Sequence, residues 1–228
     1  DRNTIVFPLW IISDQNSSGN FVLIKDQQRL NINLLFIEKI INNLNLNQDK
    51  NKLSMLKGIE PESIFNYIYA VFHSPTYRTR YAEFLKIDFP RLPLTSSLDL
   101  FRALSELGGE LVALHLMESP KLDQHVTTYT GSSAPVVDKV SWVNNAVWLD
   151  KAQKSGFIGV PENVWNFHIG GYQVCNKWLK DRKGRTLTAE DLNHYHRIVV
   201  ALSETIQLMA EIDEVIEEHG GWPGAFSS

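Results

Sequence analysis

Two strict heptad seams constrain this chain more than any other feature. Leu100, Leu104, Leu107, Leu111 and Leu114 are spaced 4, 3, 4, 3, and Leu192, Tyr195, Val199, Leu202, Ile206 and Met209 are spaced 3, 4, 3, 4, 3. Only an α-helix gathers such positions on one side, and a narrow seam of this kind is what helix–helix packing requires. Ser96 offers a cap to the first helix, with Asp99 in its first turn, and the run Thr188, Ala189, Glu190, Asp191 is a capping signature for the second. The two are predicted to pack on each other antiparallel, with Gly108-Gly109 permitting close approach midway along the first. This pair is scaffold.

The remaining elements are shorter. Residues 4–12 read as a strand with Pro8 marking an edge or bulge, residues 14–20 (DQNSSGN) as a turn, and residues 21–24 as a short apolar run. Leu34, Leu35, Ile37, Ile40, Ile41 and Leu44 recur at helical spacing, and an Asn-rich connection follows over 42–51. Pro61 opens a helix whose buried face is predicted to be Ile64, Phe65, Ile68, Tyr69 and Phe72, and Ser74-Pro75 ends it. Residues 77–85 predict one more short helix, with Tyr77, Tyr81 and Phe84 on a shared face, Arg78 at its margin and Arg80 opposite. Prolines hold residues 89–94 extended.

Between the long helices the character changes. Residues 136–143, 146–149 and 157–160 read as strands, and Asn144-Asn145 supplies a tight hairpin turn. Pro161 starts a helical turn reaching Trp165, and Gly170-Gly171 separates it from a helix over 172–180. The fold class is therefore α+β and helix-rich: two long heptad-seamed helices packed with a small antiparallel sheet. One domain is expected over 1–228, with a strand and helix portion at 1–60 and a core at 61–228.

Charge is distributed unevenly. Residues 188–228 hold eight acids and one base, Arg197, a local −7, so a chain of net charge −4 carries +3 over residues 1–187. The densest basic cluster is Lys177, Lys180, Arg182, Lys183 and Arg185, opposed by Asp181 alone. Two chemistries fit it. Lys177 and Lys180 complement a helix C-terminus, with Gly184 taking a left-handed position in the turn beyond. The same cations, with Trp178 and Tyr172 packed behind them, suit phosphates.

Other classes lack support. Cys175 is the sole cysteine, which excludes a disulfide framework or a cysteine-based zinc site and fits a reducing compartment. No apolar run approaches membrane-spanning length. There is no phosphate loop, GxGxxG, G-x-S-x-G or H-E-x-x-H. His194 and His196 fall on different helix faces and cannot share a metal ion. Asp213, Glu214, Glu217 and Glu218 read as a solvated helix side. The chain opens at Asp1, without Met and within a strand pattern, as expected of a piece of a longer protein.

Three runs are specific enough to carry a resemblance: IFNYIYAVFHSPTYRTRYAEFLKIDFPRLPL (64–94), VWNFHIGGYQVCNKWLKDRKGRTL (164–187) and HYHRIVVALSETIQLMAEID (194–213). They resemble the C-terminal specificity domain of the type ISP restriction-modification enzymes, over roughly residues 60–223, with Phe7-Pro8-Leu9 similar to the family's approach to this domain and residues 13–58 matching weakly. The resemblance implies a bacterial, cytoplasmic parent with nuclease, helicase-like ATPase, adenine-N6 methyltransferase and target-recognition parts. That parent would use S-adenosylmethionine, ATP and Mg2+. This chain would be the recognition part, holding no cofactor and no metal and lacking catalytic residues. It would bind double-stranded DNA and dock on the methyltransferase and helicase-like domains of the same chain.

The resemblance also divides the candidate residues. Members read different sequences, so residues of the shared runs should hold the fold or phosphates: Arg78, Arg80, Lys177, Lys180, Arg182, Lys183 and Arg185. Base readers should lie in idiosyncratic loops, where Asn144, Asn145, Lys151, Gln153 and Lys154 have the side chains that address base edges. The competing expectation is an interaction scaffold that docks on its parent without touching bases.

Overall fold

The computed structural model describes residues 10–12, 24–25, 28–46 and 59–226, so the expected residues 4–9 of the first strand and the turn at 14–20 lie outside the described residues. The chain divides into two units, residues 1–109 with 209–228, and residues 110–208.

In the first unit, β1 (Trp10–Ile12), β2 (Ile24–Lys25) and β3 (Gln28–Leu30) form an antiparallel sheet in the order β1-β3-β2. The Asn33 side chain accepts the Leu35 N–H at 2.8 Å and so starts α1 (Leu34–Asn43), which buries Ile37, Ile40 and Ile41. Pro61 occupies the first turn of α2 (Pro61–His73), where its missing N–H costs nothing. The buried face of α2 is Ile64, Tyr67, Ala70 and Val71, while Phe65, Ile68, Tyr69 and Phe72 are only half-buried. The expected face is rotated because the next long helix lies unusually close. A Cβ on Gly108 would come 1.9 Å from the Asn66 carbonyl oxygen, and Ser105 Oγ donates to the Ser63 carbonyl at 2.9 Å. Gly108 thus serves the approach to α2, not the expected approach to the other seamed helix.

Ser74 ends α2 and also caps α3 (Pro75–Arg80), accepting the Tyr77 N–H at 3.0 Å. Tyr81, at φ −105°, interrupts the single helix expected over 77–85 and separates α3 from α4 (Ala82–Leu85). The shared aromatic face is retained. Tyr77 lies 5.0 Å from Tyr81 and 5.6 Å from Trp222, ring centre to ring centre. The cap of α5 (Leu98–His115) is Ser97, whose Oγ accepts the Leu100 N–H at 3.2 Å, instead of Ser96.

The second unit contains a four-stranded antiparallel sheet of β4 (Thr128–Thr130), β5 (Ser141–Val143), β6 (Ala146–Trp148) and β7 (Gly156–Ile158), in the order β4-β7-β6-β5. Asn144 and Asn145, at φ 52° and 56°, close the β5–β6 hairpin in the primed-turn conformation expected of them. α6 (Glu162–Trp165) follows Pro161. Tyr172 does not begin the next helix. It pairs in a two-stranded hairpin, β8 (His168–Ile169) with β9 (Tyr172–Gln173), and α7 (Val174–Lys180) starts after it. The reciprocal cap of α8 (Ala189–Glu218) is present: Thr188 N–H donates to Asp191 Oδ2 at 3.0 Å, and Asp191 N–H donates to Thr188 Oγ1 at 3.1 Å. Val147 and Phe157 of the sheet, Leu149 just after β6, Cys175 and Leu179 of α7, and Tyr195, Val199 and Leu202 of α8 share one core. The last turn of α5 meets α8 where His115 Nε2 and Thr205 Oγ1 lie 2.9 Å apart.

Candidate nucleic-acid interface

Five cations crowd the end of α7, and the fold divides them. Lys177 forms an ion pair with Asp181 and sits 5.7 Å from the Tyr172 ring centre. The Arg182 guanidinium lies 3.5 Å from the Trp178 ring centre, donates from Nη1 to the Trp178 carbonyl at 3.1 Å, and pairs with Asp191 at 3.6 Å. Arg182 thus closes the helix end at a carbonyl, while Lys177 is held by the carboxylate of the residue that ends the helix. Lys180, Lys183 and Arg185 are exposed and have no acidic partner among the described residues.

The turn that displays them is anchored by backbone bonds. Gly184, at φ 78° as its place in the turn demands, donates to the Val137 carbonyl at 2.7 Å, and Val137 N–H donates to the Arg185 carbonyl at 3.0 Å. Trp178 stands behind Arg182. Tyr172 lies against Lys177 but is itself 59% exposed.

The base-reading candidates fall into two groups at opposite ends of β6. Asn144 and Asn145 occupy the exposed turn before it, and the Asn145 carbonyl accepts from Gly159 and Val160 N–H, each at 2.8 Å. Lys151, Gln153 and Lys154 sit in the exposed loop after it. Asp150 organises that loop, accepting the Ser155 N–H at 2.9 Å and the Lys154 N–H at 3.2 Å, and the Ser155 amide foremost holds its carboxyl below the usual carboxylate range. Gln153 takes φ 54° in consequence. The segment that pairs with the basic turn continues to this loop, because Asp138 N–H donates to the Leu149 carbonyl at 2.9 Å. The fold therefore brings Lys151, Gln153 and Lys154 towards the basic turn and leaves Asn144 and Asn145 at the far end of the strand.

Arg78 and Arg80 belong to the first unit. Arg78 Nε donates to the Phe72 carbonyl at 2.7 Å, satisfying an oxygen at the end of α2, while Arg80 is exposed. Asp213, expected on a solvated helix side, accepts from Ser74 Oγ, from Thr76 N–H at 3.0 Å and from Thr76 Oγ1 at 2.7 Å. A carboxylate recruited from far along the chain leaves no local sequence pattern, so only the fold discloses this role.

Burial pushes the Cys175 thiol up to about 12, far from a reactive thiolate. His196 is buried against Thr127 Oγ1 at 2.6 Å and stacks on His125 at 4.7 Å, and burial lowers its pKa. His194 lies in a polar cleft of about 300 Å³ with Trp178, Arg182 and Arg197, and burial, then the two arginines, depress it. Among the described residues no group of three or more His, Cys, Asp or Glu is placed to hold a metal ion, and no helix is long and apolar enough to cross a membrane.

Comparison with solved structures finds the same fold in two DNA complexes. The ATP-dependent Type ISP restriction-modification enzyme LlaBIII bound to DNA is 17% identical with a TM-score of 0.56, covering 92% of this chain and 13% of that one. The DrdV–DNA complex is 20% identical with a TM-score of 0.53, covering 85% of this chain and 21% of that one. This chain thus spans a small fraction of each. No curated protein sequence matches it. The Type ISP C-terminal specificity domain family matches residues 1–211, taking in the N-terminal residues where the resemblance is weakest. With that match covering most of its length, the chain belongs to the Type ISP C-terminal specificity domain family.

Proposed function

We propose that this chain is the DNA target-recognition part of a restriction-modification enzyme, gripping phosphates with the turn after α7 and reading bases with the loop after β6. The observation that carries this is the trio Lys180, Lys183 and Arg185 at the end of α7 and on the turn beyond it, exposed, without acidic partners among the described residues, and set on a turn fixed by backbone hydrogen bonds. Cations held this way neutralise phosphates without first breaking an internal ion pair. Lys177 and Arg182 are taken up within the fold and leave the phosphate contacts to that trio, and in the first unit Arg78 is held to the Phe72 carbonyl while Arg80 is exposed. Lys151, Gln153 and Lys154 are the preferred base readers, with Asn144 and Asn145 addressing a more distant position. Methylation, cleavage, S-adenosylmethionine, ATP and Mg2+ belong to other parts of the parent, and the compartment is the bacterial cytoplasm.

Fluorescence-anisotropy titration with duplex DNA at two salt concentrations tests this reading. The triple substitution Lys180→Ala, Lys183→Ala, Arg185→Ala should weaken binding to all duplexes alike. It should also reduce the salt slope by about 2 to 3, since each phosphate no longer neutralised lowers it by about 0.9. An unchanged slope would remove the turn from the interface.

Docking on the parent's other domains, without base contact, has one observation in its favour. Tyr77, Tyr81, Phe84, Leu92 and Pro93 line a groove of about 390 Å³, and Ile87 and Phe89 are exposed in the same stretch of chain. In that case Phe89→Ser would disturb assembly of the parent and leave duplex affinity intact.

A further inference from the structure

The β8–β9 hairpin sets two large apolar side chains side by side on the surface of the second unit. Ile169 is 55% exposed and Tyr172 is 59% exposed, and the two stand directly opposite each other in the ladder. Cross-strand partners project from the same face, so these side chains form one apolar pair. Neighbouring residues in a strand point to opposite faces. Gln173, next to Tyr172, turns inward and donates from Nε2 to the Trp165 carbonyl at 2.6 Å. The Ile169–Tyr172 pair therefore faces away from the body of the unit. At the tip, Gly170 takes φ 58°, and a Cβ on either Gly170 or Gly171 would meet nothing within 4 Å.

The base of the hairpin is held firmly. Val174 N–H donates to the Phe167 carbonyl at 3.3 Å, and Phe167 and Val174 both pack on the unit's core. A fixed stem that carries two exposed apolar side chains beside a glycine tip presents a small apolar surface to a partner. Its surroundings say which partner. Lys177 lies 5.7 Å from the Tyr172 ring centre, and α7 goes on to Lys180 and the basic turn. Apolar side chains flanked by cations are the equipment of proteins that press into DNA, where the cations meet phosphates and the apolar group meets sugar or base faces.

We propose that the His168–Gln173 hairpin is a DNA-inserting finger, with Ile169 and Tyr172 pressing on base or deoxyribose faces beside the backbone gripped by the α7 turn. This rests on the DNA-binding reading above and adds to it an apolar contact independent of the phosphate cations. The Tyr172 ring is the stacking surface and Ile169 is its wedge. The Gly-Gly apex lets the tip approach a groove wall without side chains in the way.

Anisotropy titration of duplex DNA with the whole chain separates this contact from the electrostatic one. Tyr172→Ala and Ile169→Ala, each at an exposed position, should leave thermal unfolding unchanged. Each should weaken DNA binding about ten-fold with the salt slope intact, because stacking releases no counterions. Tyr172→Phe should bind as the unsubstituted chain does, since the ring is kept. If both alanine variants bind as tightly as the unsubstituted chain, or lose affinity only with a fall in salt slope, the finger is overturned while DNA binding stands. If the unsubstituted chain does not bind duplex at either salt concentration, the DNA-binding reading itself fails, and the finger with it.

Discussion

Residues 74–80 and residues 177–185 look alike on paper: each joins an aromatic-rich helix to a turn and carries a pair or more of cations. The fold treats them differently. At residues 74–80 most polar groups are consumed internally, with Asp213 accepting three hydrogen bonds at the start of α3 and Arg78 closing the end of α2, and Arg80 is left exposed. At residues 177–185 Arg182 bonds the Trp178 carbonyl and Lys177 pairs with Asp181, and among the described residues Lys180, Lys183 and Arg185 have no acidic partner. A helix end has a limited number of orphan carbonyls to satisfy. Cations beyond that number are available to something outside the chain. Counting charges in a sequence therefore bounds a binding site from above, and hydrogen-bond bookkeeping in the structure says how many of them are free.

The sharpest way to break this contrast is Asp213→Ala. It strips a charged acceptor from Ser74, which is fully buried, and from Thr76, and should cost about 3 kcal/mol in urea unfolding. A loss below ~0.5 kcal/mol would mean that the α3 start does not depend on that carboxylate. Next comes Arg182→Ala, which removes the stacking on Trp178 and the bond to the Trp178 carbonyl. It should lower stability by about 1 kcal/mol while leaving the DNA salt slope in place. Lys183→Ala is its mirror image, with stability within ~0.5 kcal/mol and a slope lower by about 0.9. Should the two variants exchange behaviours, the division between structural and free cations is wrong.

The smallest effect concerns pH. The Thr188 amide foremost, with Arg182 among the lesser causes, holds the Asp191 carboxyl below its usual range. A carboxyl depressed by folding adds stability that is fully present above its unfolded pKa of about 3.9 and is lost as pH falls through the lower folded value. Asp191→Asn should therefore flatten the loss of stability on acidification below about pH 4, read as the shift of urea midpoint with pH. An equally steep acid limb in that variant would assign the acid sensitivity elsewhere. Arg182→Ala should flatten it less, since it removes only the two smallest contributions.

Much of this protein was legible in its sequence wherever the information is local. The primed turn at Asn144-Asn145, the left-handed Gly184, the Pro61 start of α2 and the Thr188–Asp191 cap each depend on a few adjacent residues whose backbone preferences are strong. The heptad spacing determined both long helices for the same reason, and three long runs identified the family. What the tertiary structure alone decided are the matters of approach between distant segments. Gly108 serves α2 because Asn66 lies there, and Asp213 serves α3 because α8 carries it to Ser74. Arg182 is taken up by Trp178 while Lys183, its neighbour, is not, since a turn sends successive side chains in different directions and only one meets the ring. Spacing along a chain predicts which residues share an element. Which partner each one meets across space is set by packing, and no one-dimensional pattern encodes it.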